Sequence, residues 1–126
     1  MLEKLSDLVV AKKYIQKEQS SKSRGIEFKL TFEEYRKLIH TEKCFYTGVE
    51  LNRKVQGNSD NLTLDRIDSS IGYVSGNVVA CSHSINHLKG IIENPKNDIG
   101  FDRVTKMLWK IHEVKPSLLK QKRELV

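Results

Sequence analysis

The apolar residues of the first positions recur with the period of an α-helix. Their spacing predicts a helix over residues 2–19, with Leu2, Leu5, Val9 and Ile15 on its apolar side. The polar stretch 20–25 ends in a glycine and predicts a turn that breaks this helix. The chain is therefore expected to open with one amphipathic helix.

A second helix is predicted after a short alternating segment. Residues 26–30 alternate between apolar and polar, as a half-buried strand would. Thr31 precedes Glu34 by the spacing of a capping box, which predicts a helix that runs to about Ile39. The side chains that we expect this helix to bury are Phe32, Tyr35, Leu38 and Ile39.

Shorter elements are predicted in the centre of the chain. We expect a tight turn over 44–48, a polar loop over 53–60, a strand over 62–67, a loop over 72–77, a strand over 78–81 and a helix over 82–92. Strand, loop, strand and helix thus follow one another directly.

The last part of the chain returns to a helical pattern. Phe101, Val104, Leu108 and Ile111 predict an amphipathic helix, and Met107 and Trp109 are expected to add to its buried side. Pro116 is expected to open a separate, final helix, because proline is favoured in the first turn.

Length and composition describe a small, basic, globular protein. A chain of 126 residues with 38% hydrophobic and 30% charged residues predicts a single domain. Within it we distinguish a helical segment over 1–40, a core over 44–92 and C-terminal helices over 100–126. The net charge of +6 is compatible with an anionic partner such as nucleic acid.

The compartment follows from what the sequence lacks. The apolar run near the N-terminus is too short for a secretory signal or a membrane span. Two cysteines do not make a disulfide scaffold of the kind found in small secreted proteins. We therefore expect a cytoplasmic protein without membrane contact.

Candidate chemistry is concentrated in the strand, strand and helix segment. Asp65 and Arg66 close the first predicted strand, Asn77 opens the second, and Asn86 lies in the helix. Residues 44–90, with the preceding segment 24–31, resemble small phage-type members of the HNH endonuclease family. This resemblance implies an α+β fold with a ββα-metal core and flanking helices. It also implies a metal-dependent endonuclease or nickase that hydrolyses phosphodiester bonds in DNA, in a bacterium or a phage-infected host cell.

The resemblance assigns roles to individual residues. Asp65 and Asn86 would bind one divalent cation, Mg²⁺ or Mn²⁺, since hard cations prefer oxygen ligands and retain water. The cation would neutralise charge that develops on the scissile phosphate. Asn77 would orient the general base, and Lys89 would hold a flanking phosphate.

Arg66 stands where the family has a histidine that acts as general base. An arginine stays protonated at any working pH and cannot take a proton from water. Candidate replacements are His83 and His87 in the predicted helix, and Tyr73 in the loop. Arg66 would then clamp the phosphate. The alternative is a module that has lost efficient cleavage and binds nucleic acid or a protein partner.

The cysteines mark a second departure from the family. Many relatives bind a structural zinc through two Cys-x-x-Cys pairs, whereas here Thr47 follows Cys44 and Ser84 follows Cys81 at the paired positions. Two thiolates do not complete a closed zinc site. We therefore expect no structural zinc and read both cysteines as small buried apolar residues. DNA is the expected partner, while RNA and the oligomeric state stay open.

Overall fold

The computed structural model describes residues 3–53 and 57–124, with side chains described as far as Ser117. Within these ranges the chain is a mixed α+β structure of four helices and one antiparallel pair of strands. The elements are, in chain order, α1 (Asp7–Ser23), α2 (Phe32–Ile39), β1 (Leu62–Arg66), β2 (Val78–Ser82), α3 (His83–Glu93) and α4 (Gly100–Glu124). The predicted order of strand, loop, strand and helix is confirmed.

The chain divides into two compact units, Met1–Asn86 and His87–Val126. Helix α3 begins in the first unit and ends in the second. The prediction of a single domain stays a prediction.

Helix α1 has other limits than the sequence predicts. Its predicted start at residue 2 lies outside the described residues, and the helix begins after Ser6, whose side chain accepts a hydrogen bond from the Val9 N–H. The break predicted over 20–25 is confirmed only at its end, because the helix runs on to Ser23 and the turn is formed by Arg24 and Gly25. Ser21 fits the buried side of the helix since its hydroxyl donates to the Lys17 carbonyl at 2.7 Å. Gly25, with a φ of 69°, follows the helix end.

The buried side of α1 also differs from the predicted one. Val9 and Ile15 are 38% and 53% exposed, whereas Val10 is fully buried. Tyr14 lies one turn after Val10 and meets three rings edge-on, with centroids 5.4–5.8 Å away: Phe28, Phe32 and Tyr35. Of the predicted stripe, Leu5 packs against this core. Aromatic residues from later segments therefore decide which side of α1 is buried.

Helix α2 is confirmed with its capping box. The Glu34 N–H donates to the Thr31 hydroxyl at 3.1 Å, and the Thr31 N–H donates to the Glu34 carboxylate at 3.0 Å. Tyr35 and Ile39 are buried, and Phe32 and Leu38 pack against the core clusters, as predicted.

Residues 26–30, all of which the structure describes, do not form the predicted strand. Phe28 forms a parallel bridge to Tyr73. The Tyr73 N–H donates to the Glu27 carbonyl at 2.8 Å, and the Lys29 N–H donates to the Tyr73 carbonyl at 2.9 Å. Gly72 lies so close that a Cβ atom there would be 2.5 Å from the Glu27 carbonyl oxygen. This segment fastens the loop between β1 and β2 to the N-terminal part of the chain.

The strand pair forms the centre of the first unit. Leu64 pairs with Ala80, and all five residues of β2 are buried. The predicted turn over 44–48 is confirmed and is flanked by an antiparallel bridge between Lys43 and Glu50. Part of the predicted loop over 53–60 lies outside the described residues. Cys44 and Cys81 are both buried in one cluster with Leu51 and Ala80, as expected of small apolar residues.

The second unit is helical and differs from the prediction in two respects. Pro116 lies inside α4 and does not open a separate helix. Proline has the φ of a helical residue, so the helix continues through it although its missing N–H removes one hydrogen bond. The residues expected in a core are exposed, with Met107 at 53% and Trp109 at 68%. None of the helices in the described part of the chain is long and apolar enough to cross a membrane.

Candidate functional site

Asp65 is a carboxylate held in place near the end of β1. It pairs with Val79 across the strands and is 8% exposed. The hydroxyl of Tyr46, in the turn over 44–48, donates to its Oδ2 atom at 2.7 Å. Hydrogen bonds of this kind orient carboxylates that bind metal ions. Sequence reasoning missed Tyr46, because the contact joins two segments whose proximity no local pattern records.

Arg66, the next residue, has different neighbours. Its Nη1 donates to the carbonyls of Ser69 at 2.9 Å and Ile71 at 3.2 Å. Its guanidinium carbon lies 5.3 Å from the centre of the Tyr73 ring. Consecutive strand residues point to opposite faces, which accounts for the separation of Arg66 from the contacts of Asp65. The loop between the strands therefore anchors Arg66.

Asn77 is buried and ties that loop together. Its Oδ1 accepts from the Asp68 N–H at 2.9 Å, and its Nδ2 donates to the carbonyls of Asp68 and Gly72, each at 3.0 Å. Its backbone carbonyl accepts from the Ile67 N–H at 2.8 Å. The amide thus holds the loop backbone that in turn holds Arg66, so the structure connects Asn77 with Arg66 through the loop.

His83 is not brought to Arg66. It is exposed at the start of α3, and its N–H donates to the Asn61 carbonyl at 2.9 Å. Arg66 pairs with Val78 at one end of the strands, and Leu62 pairs with Ser82, the neighbour of His83, at the other. With a rise of about 3.3 Å per residue the two ends lie roughly 13 Å apart.

The remaining predicted residues lie further along α3. Asn86 is half-buried and is the last residue of the first unit. His87 and Lys89 belong to the second unit, where His87 is exposed. Lys89 Nζ lies 2.8 Å from the Glu93 carboxylate, and only 11% of its side chain is exposed. A phosphate bound by Lys89 would have to compete with Glu93.

Metal ligands are sparse in the described ranges. No three His, Cys, Asp or Glu side chains among these residues come together. Oxygen ligands such as the Asp65 carboxylate suit Mg²⁺ better than a softer metal.

Cys44 is held by hydrogen bonds rather than by a second cysteine. Burial raises the pKa of its thiol, but hydrogen bonds from the Thr47 side chain and from the backbone N–H groups of Ser82, Thr47 and Tyr46 outweigh burial and lower it. The expectation that no structural zinc is bound stays a prediction.

No protein-family model and no solved structure significantly matches the chain. Two viral proteins are similar to parts of it. The uncharacterized 29.0 kDa protein in the dda-modA intergenic region of Enterobacteria phage T4 is 31% identical over 67 residues, which are 53% of this chain and 26% of that protein. The uncharacterized protein R423 of Acanthamoeba polyphaga mimivirus is 28% identical over 80 residues, which are 64% of this chain and 14% of that protein. The chain thus spans a minor part of each relative's length.

Proposed function

We propose that this chain is a divalent-metal-dependent endonuclease or nickase of the HNH type, which hydrolyses phosphodiester bonds in DNA. The observation that carries the proposal is Asp65, a nearly buried carboxylate at the end of β1 that the Tyr46 hydroxyl orients. A buried carboxylate is costly to maintain unless hydrogen bonds or a cation compensate for its lost hydration. Tyr46 supplies one such hydrogen bond, and the proposal adds a Mg²⁺ or Mn²⁺ bound to the same carboxylate.

The residues divide the work as follows. Asp65 and Asn86 bind the cation, which neutralises charge on the scissile phosphate when bound. Arg66 clamps that phosphate, and the carbonyls of Ser69 and Ile71 keep its planar guanidinium in one orientation. Asn77 maintains the loop that carries both carbonyls.

The proton of the attacking water goes to a histidine, because Arg66 cannot accept it. The candidates are His83 and His87, and replacement of each by glutamine compares them directly. Loss of cleavage in one variant alone identifies the base. The position of His83 at the far end of the strands argues against it.

A second candidate function is a binding module with little or no cleavage. It is favoured by the anchoring of Arg66, whose contacts with two carbonyls and the Tyr73 ring are those of a structural residue. The partner would be nucleic acid or a protein. The viral origin of the two relatives supports, for either function, a setting in the cytoplasm of an infected cell.

The test is incubation of the protein with supercoiled plasmid and Mg²⁺ or Mn²⁺, with and without chelator. We expect metal-dependent nicking that Asp65→Ala abolishes and that Asp98→Ala, a change of an exposed aspartate, leaves unchanged. Nicking by Asp65→Ala at the parent rate would show that the metal assignment is wrong.

Arg66→His separates the two functions. If the parent is nearly inactive and the variant cleaves well, the chain is a binding module that has lost its base. If the parent cleaves well and the variant is crippled, Arg66 has the clamping role in an active enzyme.

A further inference from the structure

Three cationic side chains gather around the ring of Tyr73. Lys17 Nζ lies 4.5 Å from the ring centre, and the guanidinium carbon of Arg66 lies 5.3 Å from it. Arg24 donates to the Tyr73 hydroxyl at 3.4 Å. Tyr73 itself is buried, and all three cations contact its ring or its hydroxyl. We call Lys17, Arg24 and Arg66 the cation cluster.

Carboxylates do not neutralise the α1 side of this cluster. Among the described residues, neither Lys17 nor Arg24 forms an ion pair with an acid. The uncompensated charge acts on Tyr73. Burial raises the pKa of its phenol, but the hydrogen bond from Arg24 and the positive charge of Lys17 outweigh burial and lower it. Like charges that contact one side chain repel one another, and a bound anion would reduce that repulsion.

There is room for an anion beside Arg66, one member of the cation cluster. An open cavity of about 560 Å³ is lined by Arg66, by Gly25 and Gly72, and by segment 69–71. Two glycines and short serine side chains leave the backbone accessible, so a ligand can approach Arg66 closely. Glu27 also lines this cavity, and its carboxylate is engaged by Lys29 at 2.8 Å.

Lys17 also lines a second cavity. It has a volume of about 210 Å³ and is lined by Lys13, Lys17 and Arg53 over an apolar floor that includes Tyr35. Arg53 Nε is buried and has no hydrogen-bond partner in the described part of the chain. The two Nη atoms of Arg53 donate to the carbonyls of Ile39 and Glu3, which fix the guanidinium at the cavity wall. An unsatisfied buried donor is costly, so the Nε–H favours an acceptor such as a phosphate oxygen nearby.

We propose that α1 contributes a phosphate-binding track, in which Lys17 and Arg24 hold the DNA phosphate next to Arg66, and Lys13 and Arg53 hold a further phosphate of the same strand. The identification of the ligand as DNA rests on the proposed function. A DNA strand carries one phosphate at every nucleotide. Lys17 contacts Tyr73 and also lines the second cavity, so it belongs to both groups of cations. Arginine binds a phosphate through two parallel hydrogen bonds and lysine binds it as a point charge.

The test measures binding of the full chain to fluorescently labelled DNA by anisotropy, in chelator so that nothing is cleaved. Lys17→Gln and Arg24→Gln are compared with Lys12→Gln and Lys22→Gln, which remove the same charge from exposed positions on the same helix. Each track variant should weaken binding about 5- to 10-fold and lower the slope of log affinity against log salt by about 0.9 on duplex DNA. The control variants should change affinity less than about twofold, and Lys17→Arg should retain binding. Circular dichroism checks that every variant is folded.

Several outcomes would overturn the track. They are equal losses in track and control variants, and absence of DNA binding by the parent. Competition by RNA of the same sequence as effectively as by DNA supports recognition of the backbone alone. If the track variants bind weakly but the parent does not cleave plasmid, the track stands and the proposed catalysis falls. If the parent cleaves plasmid and the track variants bind DNA normally, the proposed catalysis stands and the track falls.

Discussion

Replacement of Asn77 by alanine tests whether one buried amide holds the loop between the strands. The side chain makes three hydrogen bonds of 2.9–3.0 Å to the backbone of Asp68 and Gly72. Each bond of this kind contributes about 1 kcal/mol net to stability. Because Asp68 is exposed, water can solvate part of what is freed, and we expect a loss of about 2–3 kcal/mol in the free energy of unfolding. For a chain of this length that lowers the melting temperature by roughly 8–12 °C.

The matched control is Asn58→Ala, which removes a single side-chain bond, from the Asp60 N–H at 2.8 Å. Its expected cost is about 1 kcal/mol or less. Denaturant unfolding followed by circular dichroism gives both values, and hydrogen exchange of the Asp68 amide reports the loop directly. An Asn77→Ala variant no less stable than Asn58→Ala, with unchanged exchange at Asp68, would refute the reasoning.

Three further predictions concern neighbouring contacts. Tyr46→Phe removes the hydroxyl that orients the carboxylate proposed to bind metal, and should weaken Mn²⁺ binding about 10- to 100-fold by calorimetry. Because the buried Asp65 carboxylate loses a hydrogen bond, the metal-free variant should also be about 1–3 kcal/mol less stable; unchanged affinity would exclude that role. Gly72→Ala places a methyl group 2.5 Å from a carbonyl oxygen and should destabilise the protein by about 1–3 kcal/mol, whereas Gly90→Ala, with open space around it in a helix, should be neutral or stabilising by up to about 1 kcal/mol; similar unfolding curves would contradict this. Since the pKa of Tyr73 lies below its ordinary value of 10.0, its phenolate adds stability above that pH, and this contribution is lost as the pH falls through the folded pKa. Ultraviolet titration should show one early-ionising tyrosine that Lys17→Gln shifts upward, and no shift would mean that the charge of Lys17 does not reach the phenol.

Structural elements that depend on residues close together in the sequence could be predicted. The capping box of α2 joins residues three positions apart, so its two hydrogen bonds form wherever the chain makes that turn. The two strands and the turn over 44–48 were found for a similar reason, since alternation and glycine placement are local signals. Asp65, Arg66 and Asn77 could be selected as polar residues at the ends of those strands before their contacts were known.

Contacts between distant segments were decided by the tertiary structure. The sequence placed Val9 and Ile15 on the buried side of α1, but the Tyr14 ring packs against aromatic rings of later segments and turns Val10 inward. Pro116 is a second example. The sequence placed it at the start of a new helix, but α4 continues through it, although an interior proline loses one backbone hydrogen bond and crowds the preceding turn.

The candidate site also has features that the sequence determined and features that only the tertiary structure determined. The sequence by itself determined which residue types lie at the ends of β1 and β2. It did not determine that Tyr46 reaches Asp65, or that Lys17, Arg24 and Arg66 all contact Tyr73. Residues 24 and 73 are far apart along the chain, and the bridge between Phe28 and Tyr73 brings their segments together. Local patterns report the period of a helix or strand, whereas the convergence of charges depends on how those elements pack.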